Sequence, residues 1–156
     1  MVADYDLAQL NVARLRAPLD SPELKDFVDW LEPINAVSDR SPGFVWRLQT
    51  DEGDATSIRV FDDDMVIVNM SVWESVEALT AFVYRSEHKD VFARRKEWFE
   101  RMDNYLVLWW VPTGHVPSVV EGVGRLEHLR EHGPTSEAFT MKQPFPPPVQ
   151  SLDGNE

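Results

Sequence analysis

Residues 84–102, YRSEHKDVFARRKEWFERM, decide how the rest of the chain is read. At about 100° per residue, Val91, Phe92, Trp98, Phe99 and Met102 fall on one face of a helix. His88 and Arg95 lie near the middle of that apolar stripe, while Lys89, Lys96, Glu97, Glu100 and Arg101 cover the opposite side. A charged or titratable group in a core-facing stripe is costly unless it finds a partner. Two readings follow. In the first, His88 bonds a strand carbonyl and Arg95 pairs with a buried carboxylate or snorkels outward. In the second, the two line a pocket. Seven residues of helix separate them by about 10.5 Å, so they cannot grip one atom, but they can bracket a ligand a ring or two wide.

Working outward, the helix is the second crossover of a repeating pattern. Residues 6–14, DLAQLNVAR, alternate as a first strand. Ser21-Pro22 has the form of an N-cap with proline at the first helical position. The helix that follows places Leu24, Phe27, Val28, Leu31 and Ile34 on its apolar face, with Pro33 expected to kink or divide it. Ser41-Pro42-Gly43 makes a turn into a second strand over 43–50, with Phe44, Trp46 and Leu48 on one face. A third strand spans 65–73, and Ser75 caps a helix over 76–84 that breaks near Arg85-Ser86. Residues 105–111, YLVLWWV, form a fourth strand, apolar on both faces and therefore covered on both. Ser118-x-x-Glu121 is a capping box opening a helix to His132, weakened by Gly122 and Gly124 and stopped by Gly133-Pro134. Phe139, Met141 and Gln143 suggest a short added strand.

The order β-α-β-β-α-β is the ferredoxin-like split βαβ pattern, an α+β fold with a four-stranded antiparallel sheet. It predicts one domain over residues 1–143 and a Pro-rich extended tail over 144–156 with nothing to pack it. With helices on one face of the sheet, the other would be a bare apolar surface, which predicts a homodimer formed through the sheet face.

Composition narrows the function. Among 156 residues, 15 Lys and Arg stand against 27 Asp and Glu, a net charge of −12 that disfavours nucleic acid. With no cysteine, disulfides, thiolate metal sites and cysteine nucleophiles are excluded. No apolar run approaches the roughly 18 residues of a membrane span. No secretory signal is visible at the N-terminus, so a cytoplasmic location is expected. The acidic segment 51–64 lacks the EF-hand spacing and reads as a solvated hairpin loop. His128 and His132 stand at i, i+4 without an HExxH motif, so no metal and no cofactor are expected.

The strand LAQLNVARLRAPL, the run SPGFVWRLQ, and above all HKDVFARRKEWF with LVLWWVP resemble a bacterial family, domain-of-unknown-function family 3291. That family is similar to the dimeric α/β-barrel superfamily and lies near the antibiotic biosynthesis monooxygenase-like proteins. The resemblance covers about residues 5–147. It implies the ferredoxin-like fold, dimerisation, and a pocket between helices and sheet.

On that footing His88 is the candidate base and Arg95 the candidate anion stabiliser. Asn11, Asn69, Phe92, Trp98, Phe99 and Trp110 are candidate substrate-binding residues, although strand parity leaves open which face Gln9, Asn11, Asn69 and Ser71 present. The tryptophans either wall a pocket for a flat molecule or form core and interface. The resemblance implies a small-molecule pocket protein, with a cofactor-independent monooxygenase-like reaction on an aromatic or enolisable substrate as the catalytic form. A non-catalytic ligand-binding or structural homodimer is the alternative, and haem binding through His88 the third reading.

Overall fold

A computed structural model of the chain describes residues 5–18, 20–48, 66–85, 93–100 and 105–148. Four strands, β1 (Tyr5–Arg14), β2 (Phe44–Arg47), β3 (Val66–Trp73) and β4 (Leu106–Pro112), form one sheet in the order β2-β3-β1-β4. Every pairing is antiparallel, and β1 occupies the centre with Asn11 opposite Asn69 and Gln9 opposite Ser71. Helix α1 (Lys25–Asp39) connects β1 to β2, and α2 (Val76–Arg85) follows β3. This is the ferredoxin-like α+β arrangement that the order of elements predicts.

Local chemistry differs from expectation at several points. Pro33 lies inside α1, yet the helix runs unbroken for 15 residues and is not divided. Ser21 does not cap with its side chain. Its hydroxyl donates backward to the Pro18 carbonyl at 2.5 Å, and a short 3₁₀ turn at Pro22–Leu24 leads into the helix. Val28 is exposed, so the buried face of α1 is carried by Phe27 and Val37. In β2 an irregularity between Phe44 and Trp46 breaks the expected alternation. Phe44 packs at 5.5 Å on Trp73, on one side of the sheet, while Trp46 packs with the cluster around Met70 on the other. Gly43 enters this strand with φ +81° and passes so close to α2 that a Cβ there would meet the Ala78 methyl.

α2 ends at Arg85, at the break expected near Arg85-Ser86, but the helix expected after that break does not run on to Met102. Among the described residues Ala93 is helical and a four-residue helix, α3 (Arg95–Trp98), ends at Trp98. At Phe99 the backbone is extended, with φ −124° and ψ 144°. The chain there pairs briefly with the end of β1, where Arg16 N–H donates to the Trp98 carbonyl at 2.8 Å and Glu100 N–H to the Arg14 carbonyl at 2.8 Å. Those two bonds offer the backbone a ladder in place of another helical turn. Arg94 fastens this corner to α1, bonding Asp26 at 2.9 Å and Glu97 at 2.9 Å, with its guanidinium 4.8 Å from the Trp98 ring centre. The run Arg94-Arg95-Lys96 is thus tied into the fold at its first residue.

The second face of the sheet is not bare. Helix α4 (Val119–His132) crosses it, placing Leu126 and Leu129 in one cluster with Leu10, Met70, Val72, Trp109 and Val111, all at most 2% exposed. The expected homodimer through the sheet face needs this surface to be exposed, and within a single chain it is covered. Gly122 makes the approach possible: a Cβ there would stand 2.6 Å from Leu10 Cδ1 and 3.2 Å from Trp109 Cη2. Ser118 caps α4 as the capping box predicts, its Oγ accepting from Glu121 N–H at 3.0 Å. The Glu121 carboxylate, however, turns to Trp109 Nε1 at 2.9 Å and His115 Nε2 at 2.8 Å.

After α4 the chain returns along β4. Leu108 and Phe139 exchange two backbone hydrogen bonds, of 2.8 and 2.9 Å, as an isolated bridge, so the added strand shrinks to one pair. The tail expected to lie unpacked from Pro144 is instead anchored by Phe145. Its ring centre lies 5.8 Å from that of Phe139, and its carbonyl accepts Trp110 Nε1–H at 2.9 Å. No helix among the described residues is long and apolar enough to cross a membrane.

Candidate functional site

Side-chain parity on β1 and β3 assigns the two faces of the sheet different chemistry. Leu10, Val12, Met70 and Val72 point toward α4. Gln9, Asn11, Asn69 and Ser71 point the other way, toward α1 and α2, where the helices stand off and leave a cavity of about 250 Å³. Leu7, Trp73 and Leu108 close the sheet beneath α2, and Leu15 packs beneath α1. The polar quartet therefore occupies the middle of a face that is apolar on either side.

The quartet is bonded internally. Gln9 Nε2 donates to Asn69 Oδ1 at 2.7 Å and to Ser71 Oγ at 2.8 Å. Asn11 Nδ2 donates to Gln9 Oε1 at 2.9 Å and to Asn69 Oδ1 at 3.2 Å. Ser71 Oγ also accepts Trp73 Nε1–H at 2.8 Å, and Trp73 stacks on Phe82 at 5.1 Å. With Gln9 3% and Ser71 7% exposed, these bonds offset a desolvation cost that would otherwise disfavour amides and a hydroxyl in the interior. The floor of the cavity is thus rigid and polar.

The walls are apolar. From α1 come Phe27, Trp30, Leu31 and Ile34, at the i, i+3, i+4, i+7 spacing of one helical face, and from α2 come Leu79, Phe82 and Val83. Phe99 lies edge-on to Phe27 at 5.0 Å and joins the wall. Two cations reach the lining, Arg47 and Arg95. Arg47 is held by Asp39 at the end of α1 through Nε–Oδ1 at 2.7 Å and Nη2–Oδ2 at 3.3 Å, a forked ion pair. Among the described residues that line the cavity there is no histidine, aspartate or glutamate.

Of the residues singled out from sequence, Asn11, Asn69, Arg95 and Phe99 line the cavity. Trp98 does not. It is 1% exposed, packed among Leu15, Leu24 and Phe27. Trp110 packs with Phe139 and bonds the Phe145 carbonyl, apart from the cavity lining. His88, Phe92 and the acidic segment 51–64 lie outside the described residues. Gln9 and Ser71 stood beside Asn11 and Asn69 as polar groups of unassigned parity, and their bonds now join all four. Trp30, Ile34, Arg47 and Tyr105 were not anticipated as lining. Trp30 carried a readable signal, standing three residues after Phe27 and four before Ile34.

The remaining histidines are engaged by neighbouring side chains. His128 and His132 have ring centres 4.5 Å apart, but His128 Nε2 lies 3.3 Å from Thr135 Oγ1 and His132 Nε2 lies 3.0 Å from Glu131. Among the described residues no three potential ligands converge.

A family model described as "Domain of unknown function (DUF3291)" matches residues 6–154. No curated protein matches the chain closely enough to lend it a function. Among solved structures, Pseudomonas aeruginosa PA3566 is 14% identical with a TM-score of 0.47, covering 74% of this chain and 99% of its own. A "Putative antibiotic biosynthesis monooxygenase from Nitrosomonas europaea" is 12% identical with a TM-score of 0.48, covering 76% and 99%. The Nitrosomonas europaea protein NE2512, of unknown function, is 11% identical with a TM-score of 0.44, covering 73% and 94%.

Proposed function

Because the chain belongs to the DUF3291 family, whose description names no activity, we propose its function from the cavity: it binds a small, mainly apolar, ring-sized molecule between the sheet and helices α1 and α2. One observation carries this reading. A hydrogen-bonded polar floor of four side chains underlies a space of about 250 Å³ whose walls are aromatic and aliphatic. Ligand sites combine mostly apolar walls with a few fixed polar groups in this way. A sealed core would fill such a space, since interiors pack to near-crystal density.

Volume sets the size of the guest. An apolar cavity of roughly 150 Å³ takes one benzene ring, so this one suits a molecule of one or two rings. The four-pyrrole macrocycle of haem is larger than this space, which favours the one- or two-ring guest. A monooxygenase-like reaction on an aromatic or enolisable guest is the catalytic form of the same proposal, with His88 as base and Arg95 as stabiliser of the enolate. It is supported by Arg95 at the cavity wall and by a floor that can orient an oxygen-bearing ring.

Native mass spectrometry of the gently purified full chain, followed by titration with one- and two-ring compounds, tests the binding reading. A retained adduct, or saturable shifts at Trp30 and Trp73, is expected. An empty protein that no such compound perturbs at millimolar concentration overturns it. For the catalytic form, oxygen uptake with a bound enolisable compound should fall at least tenfold in His88→Ala. Equal uptake in a folded variant removes His88 from the mechanism.

A further inference from the structure

The bonds within the polar quartet leave a defined remainder. Gln9 spends both amide hydrogens, on Asn69 and Ser71, and its Oε1 accepts from Asn11. Asn11 likewise spends both hydrogens, on Gln9 and Asn69, so its Oδ1 is the acceptor it has left. Asn69 Oδ1 already accepts twice, which leaves its Nδ2 as donor. Ser71 Oγ also accepts twice, from Gln9 and Trp73, so its own proton is available to donate. Among the described residues none of these three groups meets a further partner. All belong to residues that line the cavity, from the buried Ser71 to the exposed Asn69 at its mouth.

We propose that this remainder is a recognition array, selecting a neutral ring-sized ligand that carries a carbonyl acceptor beside an N–H or O–H donor, as a lactam or a hydroxy-ketone does. The inference rests on the cavity being the binding site and adds the class of ligand it takes. The ligand's carbonyl takes the Asn69 Nδ2–H and the Ser71 hydroxyl, and its donor meets Asn11 Oδ1. The rest of the ring system lies against Phe27, Trp30 and Phe82. Selection for a neutral group follows from the charges around it. Of the two cations at the lining, Arg47 is committed to Asp39 in a forked pair and Arg95 has an interaction of its own, and no carboxylate among the described residues lines the cavity to receive a cationic ligand. Sites built to hydrogen-bond a polar ligand reject an analogue that lacks the group, because the site's own groups are then left unpaired.

The test uses the full-length chain and four probes of one shape: 2-quinolone, with donor and acceptor, quinoline, with an acceptor only, naphthalene, with neither, and 2-naphthoate, an anion. Binding is read by NMR from the side-chain N–H signals of Trp30, Trp73, Asn11 and Asn69. 2-Quinolone is expected to bind at least about tenfold more tightly than naphthalene or quinoline. Asn69→Asp keeps the inward acceptor and removes the outward donor. It should weaken 2-quinolone about tenfold and leave naphthalene within about twofold. Asn69→Ala, at the same exposed position, removes the donor and the Oδ1 acceptor together without adding charge, and should also weaken 2-quinolone more than naphthalene. Equal binding of naphthalene and 2-quinolone overturns the array while the cavity stands as a binding site. Tightest binding of 2-naphthoate overturns it in favour of anion recognition by the arginines. No binding by any probe removes the cavity reading and the array together.

Discussion

At the scale of single residues, two carboxylates show how environment sets stability against pH. Burial works to raise the Glu121 carboxyl, but hydrogen bonds from His115 and Trp109 outweigh it and hold the group below its ordinary range. A carboxylate held low in the folded state contributes stability that is complete above its unfolded pKa, about 4.3, and is lost as pH falls through the folded value. Glu121→Gln keeps an oxygen for Trp109 and removes the charge. Its deficit in melting temperature relative to the parent should therefore be largest near neutral pH and shrink on acidification to about pH 3. Asp6 has the opposite sign. Burial, with the neighbouring Glu74 charge, pushes its carboxyl up. Ionisation of Asp6 therefore costs stability at neutral pH, and Asp6→Asn should be more stable than the parent at pH 7 in urea unfolding. That gain should vanish below about pH 4, where both forms are neutral.

At the scale of elements, α4 and the chain that follows it carry the sharpest expectations. Gly122 and Gly124 both look like weak points from sequence, since glycine costs a helix about 1 kcal/mol relative to alanine. Their surroundings separate them. Gly122 faces the fully buried Leu10 and Trp109, while a Cβ at Gly124 meets nothing within 4 Å. Gly124→Ala should stabilise the protein by up to about 1 kcal/mol. Gly122→Ala should destabilise it despite the same propensity gain, because overpacking a closed interface costs about 1–3 kcal/mol. Chemical denaturation of the two variants against the parent checks both signs. Phe145 offers a third measurement. If its ring holds the returning chain onto Phe139, Phe145→Ala should cost about 1 kcal/mol, the scale of one aromatic pair. An unchanged denaturation midpoint would show that the Phe145 ring contributes nothing.

At the scale of the whole molecule, one chain covers both faces of its sheet. Two crossover helices and a cavity lie on one side, and α4 lies on the other. A homodimer formed over the second face would meet through the outer surface of α4, and we propose that contact on Val120, 81% exposed, with the exposed Val116 of the preceding loop. Sedimentation equilibrium at micromolar concentration should then give a dimer that Val120→Glu dissociates. A monomer in the parent overturns the proposal.

Much of this architecture is legible in the sequence, because alternation and helical spacing are local properties of the chain. The strand β1, the first helix face, the third and fourth strands and the capped α4 follow from residues a few positions apart, and their order yields the ferredoxin-like sheet. The end of the helix that follows the break at Arg85-Ser86 was not legible. Its apolar spacing is helical, but Phe99 lies on an extended backbone beside β1, where ladder bonds to Arg14 and Arg16 outcompete another helical turn. Asn11 and Asn69 stood out as polar groups in apolar strands, yet only pairing across 58 positions shows that they share one network with Gln9 and Ser71. The sequence by itself determined the order of the strands and helices and most of their extents, because backbone periodicity is written in near neighbours, but not where long-range ladder bonds end a helix, as at Phe99. Tertiary structure alone decided which face of the sheet meets which helix, and so set a polar floor beneath an apolar cavity, because a strand's register and a helix's approach depend on contacts between residues far apart in the chain.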